Sequence, residues 1–122
     1  MNATQKTGRD AAIAAALAPY RSGALRETLA RRVAIPSESQ NPERSAALTA
    51  YLVDEMRPDF AAMGFDTEIV DNPRGAWPLL IASRIEDEAA PTILGYGHGD
   101  VIRGMDGRWA EGLSPWRLGE RD

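Results

Sequence analysis

Apolar positions change their spacing twice along the chain, and each change marks a new kind of element. The run Ala11 to Ala18 follows Lys6, Arg9 and Asp10 and precedes Pro19. Alanine forms helix readily, and Asp10 stands where an N-cap is wanted, so the run predicts an N-terminal helix that stops near Pro19. Cations ahead of a short apolar stretch also sketch a poor signal peptide, the alternative for this segment. From Gly23 to Ile35, Leu25, Leu29 and Val33 recur at spacings of four, with Arg26, Glu27, Arg31 and Arg32 between them. That spacing predicts an amphipathic helix. The polar stretch from Ile35 to Pro42, bounded by prolines, reads as a loop. A further helix is expected after Pro42, its faces traced by Ala47, Leu48, Tyr51, Leu52, Glu55 and Met56. Pro58 lacks the N–H that a helix interior needs, so it must end or kink that helix. Asp59 to Met63 adds a turn, and Gly64 is a natural C-terminal stop.

Beyond Gly64 the period shortens. Phe65, Thr67 and Ile69 alternate with Asp66 and Glu68, as in a half-buried strand. Asp71 to Gly75 is dense in turn residues. Leu79 to Ile85 is β-prone, and Glu86-Asp87-Glu88 leads to a short apolar run, Pro91 to Tyr96, of the kind found in buried strands. The expected order is two or three helices, then three strands, then a glycine-rich tail. That order belongs to an α/β fold. No helix or strand is recognisable after Ile102, where the landmarks are Trp109, Pro115 and Trp116. A long loop with two tryptophans and no closing element looks like half of a site.

Composition narrows the chemistry. A chain of 122 residues allows one domain of ordinary size, and 43% apolar residues is not the composition of a disordered one. The absence of cysteine excludes a disulfide framework, a thiolate metal site and a cysteine nucleophile. The single histidine excludes any site that needs two imidazoles from this chain. With a net charge of −4 and no basic run longer than Arg31-Arg32, no nucleic-acid surface is suggested. No apolar run approaches a membrane span, so no membrane partner is expected and cytoplasm is the expected compartment.

The candidate chemistry lies in Gly95-Tyr96-Gly97-His98-Gly99-Asp100-Val101, at the C-terminal end of the third predicted strand, where open α/β sheets place their ligands. His98 and Asp100 are two apart and point to one side of an extended backbone. Neutral imidazole is a common metal ligand, and it normally gives its other ring N–H to a carboxylate. Asp100 is placed to be that carboxylate or to help bind the metal. The plainer alternatives are a surface or satisfied interior histidine, and an aspartate that caps loop amides. Trp109 and Trp116 read first as packing residues. Ser37 and Ser39 lie in a proline-flanked loop without a nucleophile elbow, so turn chemistry is their expected role.

Taken in order, these segments resemble the N-terminal part of peptidase family M-twenty. This family of dizinc hydrolases includes acetylornithine deacetylase, succinyl-diaminopimelate desuccinylase, aminoacylase and glutamate carboxypeptidase. Val33-Ala34-Ile35-Pro36-Ser37-Glu38-Ser39 is similar to the family's "ipSvs" loop, and Met63-Gly64-Phe65 to its "lGf" step into the first strand. Thr92 to Val101 is similar to "tlllxGHxDvv", and Trp109 with Ser114-Pro115-Trp116 to "W…dPf". The likeness covers residues 20–122, with 1–19 an N-terminal helix or extension. It implies the opening part of an α/β/α catalytic domain of the zinc-dependent exopeptidase kind. His98 matches the first zinc ligand, and Asp100 the catalytic-site aspartate that steadies it. Gly99 and Trp116 depart from the usual residues without touching the ligand chemistry.

The resemblance further implies two zinc ions, with cobalt or manganese as alternatives, and hydrolysis of small peptides or N-acyl amino acids by metal-activated water. The family's bridging aspartate, its paired glutamates, its distal histidine and its lid or dimerisation domain have no counterpart here. Asp106, Glu111, Glu120 and Asp122 carry no ligand motif. The sequence therefore reads as a piece cut before the bridging ligand and inactive alone. The rival expectation is a non-catalytic remnant, or a subunit that pairs with a separate C-terminal half.

Overall fold

Helix α1 spans Ala3–Ser22 in the computed structural model, which describes residues 3–75 and 77–121, with side chains from Gly8 onward. It runs through Pro19 instead of stopping there. A proline in a helix leaves the carbonyl four residues back, here that of Ala15, without its N–H. Residues 8–22 are all exposed, so water can satisfy that carbonyl. The Ser22 hydroxyl donates to the Pro19 carbonyl at 3.2 Å in the last turn. Gly23, at φ 85°, turns the corner into α2, Ala24–Val33. The apolar stripe of α2 is barely covered, with Leu25 and Leu29 both more than two-fifths exposed. Two ion pairs hold α2 to the next helices: Arg31 to Glu55 at 3.3 Å and Arg32 to Asp59 at 2.5 Å.

Residues 42–62 form one helical rod with changing pitch. A 3-10 turn, Pro42–Arg44, is capped by the Asn41 side chain, which accepts from the Glu43 N–H at 3.2 Å. It leads into α3, Ser45–Ala50, then a π-helical segment, Tyr51–Met56, then α4, Arg57–Ala62. Pro58, expected to end or kink the helix, is instead preceded by a change of winding and lies inside α4. In the π segment the Arg57 N–H reaches back five residues, to the Leu52 carbonyl. A wide turn of this kind shifts the hydrogen-bond ladder by one residue, so the N–H that Pro58 lacks is not needed to continue it.

Gly64, at φ 83°, ends the rod. Its N–H bonds the Ala61 carbonyl, and that of Phe65 bonds the Phe60 carbonyl. This is a Schellman cap, closed by edge-to-face contact of Phe60 and Phe65 at 5.5 Å. Strand β1, Asp66–Val70, pairs antiparallel with β2, Leu79–Ser83, from Asp66 opposite Ser83 to Val70 opposite Leu79. Both strands lie against α4.

The third expected strand does not form. Residues 91–100 take no part in a ladder, and Ile93, Leu94 and Tyr96 are 94%, 95% and 86% exposed. An apolar strand of that composition needs cover on both faces, and the helical rod already lies against β1 and β2. What stands is a mixed architecture of helices with a two-stranded antiparallel sheet. Among the described residues Leu48 is the single buried apolar side chain, at 5% exposure. The accessible surface is 10000 Å², against about 6,500 Å² for a compact monomer of this mass. Local helices, one hairpin and a few clips hold this fold, with very little core.

The contrast between two leucines checks this arrangement. Leu48→Ala should lower unfolding stability by about 2 kcal/mol, the lower end for a buried leucine. Leu94→Lys should change it by less than about 0.5 kcal/mol. Urea melts showing a larger loss for Leu94→Lys than for Leu48→Ala would contradict the exposed placement of residues 91–97.

Candidate functional site

His98 and Asp100 sit beyond β2, at the end of the uncovered run that begins at Pro91. Nδ1 of His98 lies 3.2 Å from Oδ1 of Asp100, and the Tyr96 ring meets the imidazole edge-on at 5.2 Å. Alternation along the backbone thus brings the two side chains together as their spacing predicts. The imidazole is largely in solvent, at 72% exposure.

Two contacts fix this short segment. The first is at Gly99, where an added Cβ would fall 2.9 Å from Leu52 Cδ2 and 3.6 Å from Tyr51 Cδ1. Glycine therefore lets the backbone between His98 and Asp100 lie directly on the π segment of the rod. The second contact follows at Val101. Its N–H donates to the Ser37 carbonyl at 2.9 Å, and its carbonyl accepts from the Ser39 N–H at 3.2 Å. These bonds make one parallel rung between Glu38 and Val101.

The loop Ile35–Asn41 is therefore part of the site: it makes the turn hydrogen bonds expected of it, Ser37 N–H to the Ile35 carbonyl and Asn41 N–H to the Glu38 carbonyl, and adds the contacts to Val101. Ser37 and Glu38 are buried, at 4% and 3% exposure. The Glu38 carboxylate accepts from the Gly104 N–H at 2.6 Å and from Asn41 Nδ2 at 3.0 Å, with Arg44 Nε at 3.7 Å. Arg103 donates to the Gln40 carbonyl at 2.9 Å. The Gly104 N–H, followed by Asn41, holds the Glu38 carboxyl below the ordinary carboxylate range, against the opposing effect of burial. The Asp100 carboxyl is also held low, first by hydrogen bonding from the Ser39 side chain and then by His98, again against burial. The long-range contacts of Glu38 and Ser39 escaped the sequence reading because nothing in a Ser-Glu-Ser loop announces a partner sixty residues on.

The glycine-rich tail packs around the same clip. Trp116 lies so close over Gly104 that a Cβ there would meet its ring at 2.3 Å. Its indole N–H donates to Asp106 at 2.8 Å, and that of Trp109 to the Gly104 carbonyl at 2.6 Å. Between the two tryptophans lies an open groove of about 590 Å³, bordered by Val101, Arg103, Met105 and Arg108. Trp116 takes the packing role expected of it against Gly104, whereas Trp109 is about half exposed and is held by its hydrogen bond to the Gly104 carbonyl.

Among the described residues the other acidic side chains of the tail do not gather at His98. Asp106 is engaged by Trp116, and Glu120 pairs with Arg26 at 2.5 Å. Asp122 lies outside the described residues. Among the described residues no group of three or more His, Asp or Glu side chains could hold a metal ion. His98 with Asp100 fits one ligand position with its orienting carboxylate; four-coordinate zinc needs more donors. No described helix is long and apolar enough to cross a membrane. Comparisons with family models, with curated proteins and with solved structures give no match to this chain.

The lowered carboxyl at Glu38 sets a direction for pH. A group whose folded-state pKa is depressed contributes stability above its unfolded value and loses it as pH falls through the folded value. The clip should be complete at neutral pH and release once pH drops below the ordinary carboxylate range. Amide exchange at Gly104 should accelerate relative to β1 on acidification. Equal protection ratios at neutral and acid pH would contradict that role for the Glu38 carboxylate.

Proposed function

We propose that this chain supplies the first-ligand segment of a metal-dependent amide hydrolase of the M-twenty kind, as the motif resemblance implies. The observation that carries the reading is the 3.2 Å contact between His98 Nδ1 and Asp100 Oδ1. A carboxylate at Nδ1 fixes the tautomer with the proton on that nitrogen and leaves the Nε2 lone pair available to a metal. His98 would hold one zinc, cobalt or manganese, and Asp100 would orient and polarise the ring. When bound, the metal would polarise the amide carbonyl of a small peptide or N-acyl amino acid and activate water. The remaining ligands and the general base must come from outside the described residues, and the isolated chain should not catalyse.

A second reading concerns how those residues arrive. The uncovered apolar run with Ile93, Leu94 and Tyr96 suits a segment that is completed as a strand by another length of polypeptide. In that reading the chain is a non-catalytic remnant or one half of a split catalytic domain.

Calorimetric titration with zinc chloride tests the proposal. Weak binding, lost in His98→Ala and without accompanying amide hydrolysis, is the expected result. Two tight sites, binding that survives His98→Ala, or N-acyl amino acid hydrolysis by the purified chain would overturn it.

A further inference from the structure

Glu38 stands out because its carboxylate is buried, at 3% exposure, in a fold with almost no core. A buried carboxylate is costly unless its oxygens are satisfied. Here one oxygen accepts the Gly104 N–H at 2.6 Å and the other accepts Asn41 Nδ2 at 3.0 Å, with Arg44 at 3.7 Å. Gly104 is four residues past Asp100. Between them lie Val101, which makes both backbone bonds of the parallel rung, and Arg103, which donates to the Gln40 carbonyl. Residues 101–104 are therefore fastened to residues 37–40 at three successive points. On the other side, Gly99 rests on Tyr51 and Leu52. Asp100 has one anchor immediately before it and the Glu38 clip immediately after it.

We propose that Glu38 is a positioning residue for the His98–Asp100 pair: by binding the Gly104 amide and stabilising the rung at Val101, it holds the backbone of Asp100 where its carboxylate meets His98 Nδ1. The side chain of His98 projects into solvent, and residues 91–97 make no ladder bonds that would fix the ring from the N-terminal side. The carboxylate of Asp100 is thus the chief polar restraint on the imidazole; the Ser39 hydroxyl holds it directly, and the clip sets the register that brings the Ser39 loop and the Asp100 backbone together. Outer partners of this kind set which ring nitrogen carries the proton, and losing them weakens metal binding at the other nitrogen. The inference rests on the proposed function only in treating Nε2 as the metal-directed atom. The effect on the tautomer stands without it.

His98 is the single histidine, so its ring signals in a 15N spectrum need no assignment. In the metal-free chain at neutral pH the Nδ1–H tautomer should predominate. Glu38→Ala should return the ring to the tautomer mixture of solvent-exposed imidazole. Glu38→Gln, whose side-chain carbonyl still accepts the Gly104 N–H, should retain the Nδ1–H form. Leu48→Ala, which weakens the fold elsewhere, should leave the tautomer unchanged and so separates positioning from general stability. With zinc chloride, Glu38→Ala should bind at His98 about ten-fold more weakly than the parent chain.

A Glu38→Ala chain with intact helix content and an unchanged Nδ1–H signature overturns the proposal. If that variant does not fold, Arg103→Ala loosens the same clip from its exposed end and should shift the tautomer part of the way. No shift there overturns the proposal equally. If zinc fails to perturb His98 in the parent chain while the tautomer still responds to Glu38, the metal reading falls and the positioning role stands.

Discussion

The hydrogen bond from the Gly104 amide to the buried Glu38 carboxylate is the constraint on which the second half of the structure depends. Beyond β2 the described chain contains no helix and no paired strand except the single rung at Val101. Drawing residues 66 positions apart together costs roughly 4 kcal/mol in chain entropy from the length dependence alone. One backbone hydrogen bond contributes about 1 kcal/mol, so no single bond here could hold the loop. The two rung bonds, the Glu38 carboxylate and the Arg103 contact to Gln40 must act as a unit. Removing one member weakens the return from the others.

The elements with strong periodicity were legible in the sequence. Leu25, Leu29 and Val33 marked α2, and the alternation from Phe65 to Ile69 marked β1. The pairing of His98 with Asp100 was also legible, since residues two apart share a side in extended backbone. Pro19 was read as a stop, and Pro58 as an end or a kink, because the rule for proline assumes that the lost hydrogen bond cannot be replaced. Water at the exposed end of α1 and a π segment ahead of Pro58 both remove that assumption. The run Pro91 to Tyr96 has the composition of a buried strand, but burial is a property of neighbours. The described elements supply none to cover Ile93, Leu94 or Tyr96.

The role of the loop Ile35–Asn41 was not legible, for a different reason. Its chemistry depends on one register, Glu38 against Val101, set by contacts between residues far apart in the chain. Neither Ser-Glu-Ser nor Gly-Met-Asp carries a periodic signal for that meeting. The loop and the His98 segment both fall within the stretches on which the proposed M-twenty reading rests. The structure adds a physical link between those separate stretches: the first carries the acceptor and the second the amide that docks on it.

The π segment has a consequence for how this chain can vary. A helix that widens from four-residue to five-residue hydrogen bonds accommodates what is in effect an inserted residue. Deleting one residue between Ala50 and Arg57 would return the rod to a regular pitch with its two ends still in register, and would change which side chains of that stretch face Gly99. Tyr51 and Leu52 form the floor under Gly99. The number of residues in that stretch of helix therefore helps set the height at which the only imidazole of the chain is held. A length change there, with every side chain near His98 untouched, would alter the site as surely as a substitution within it.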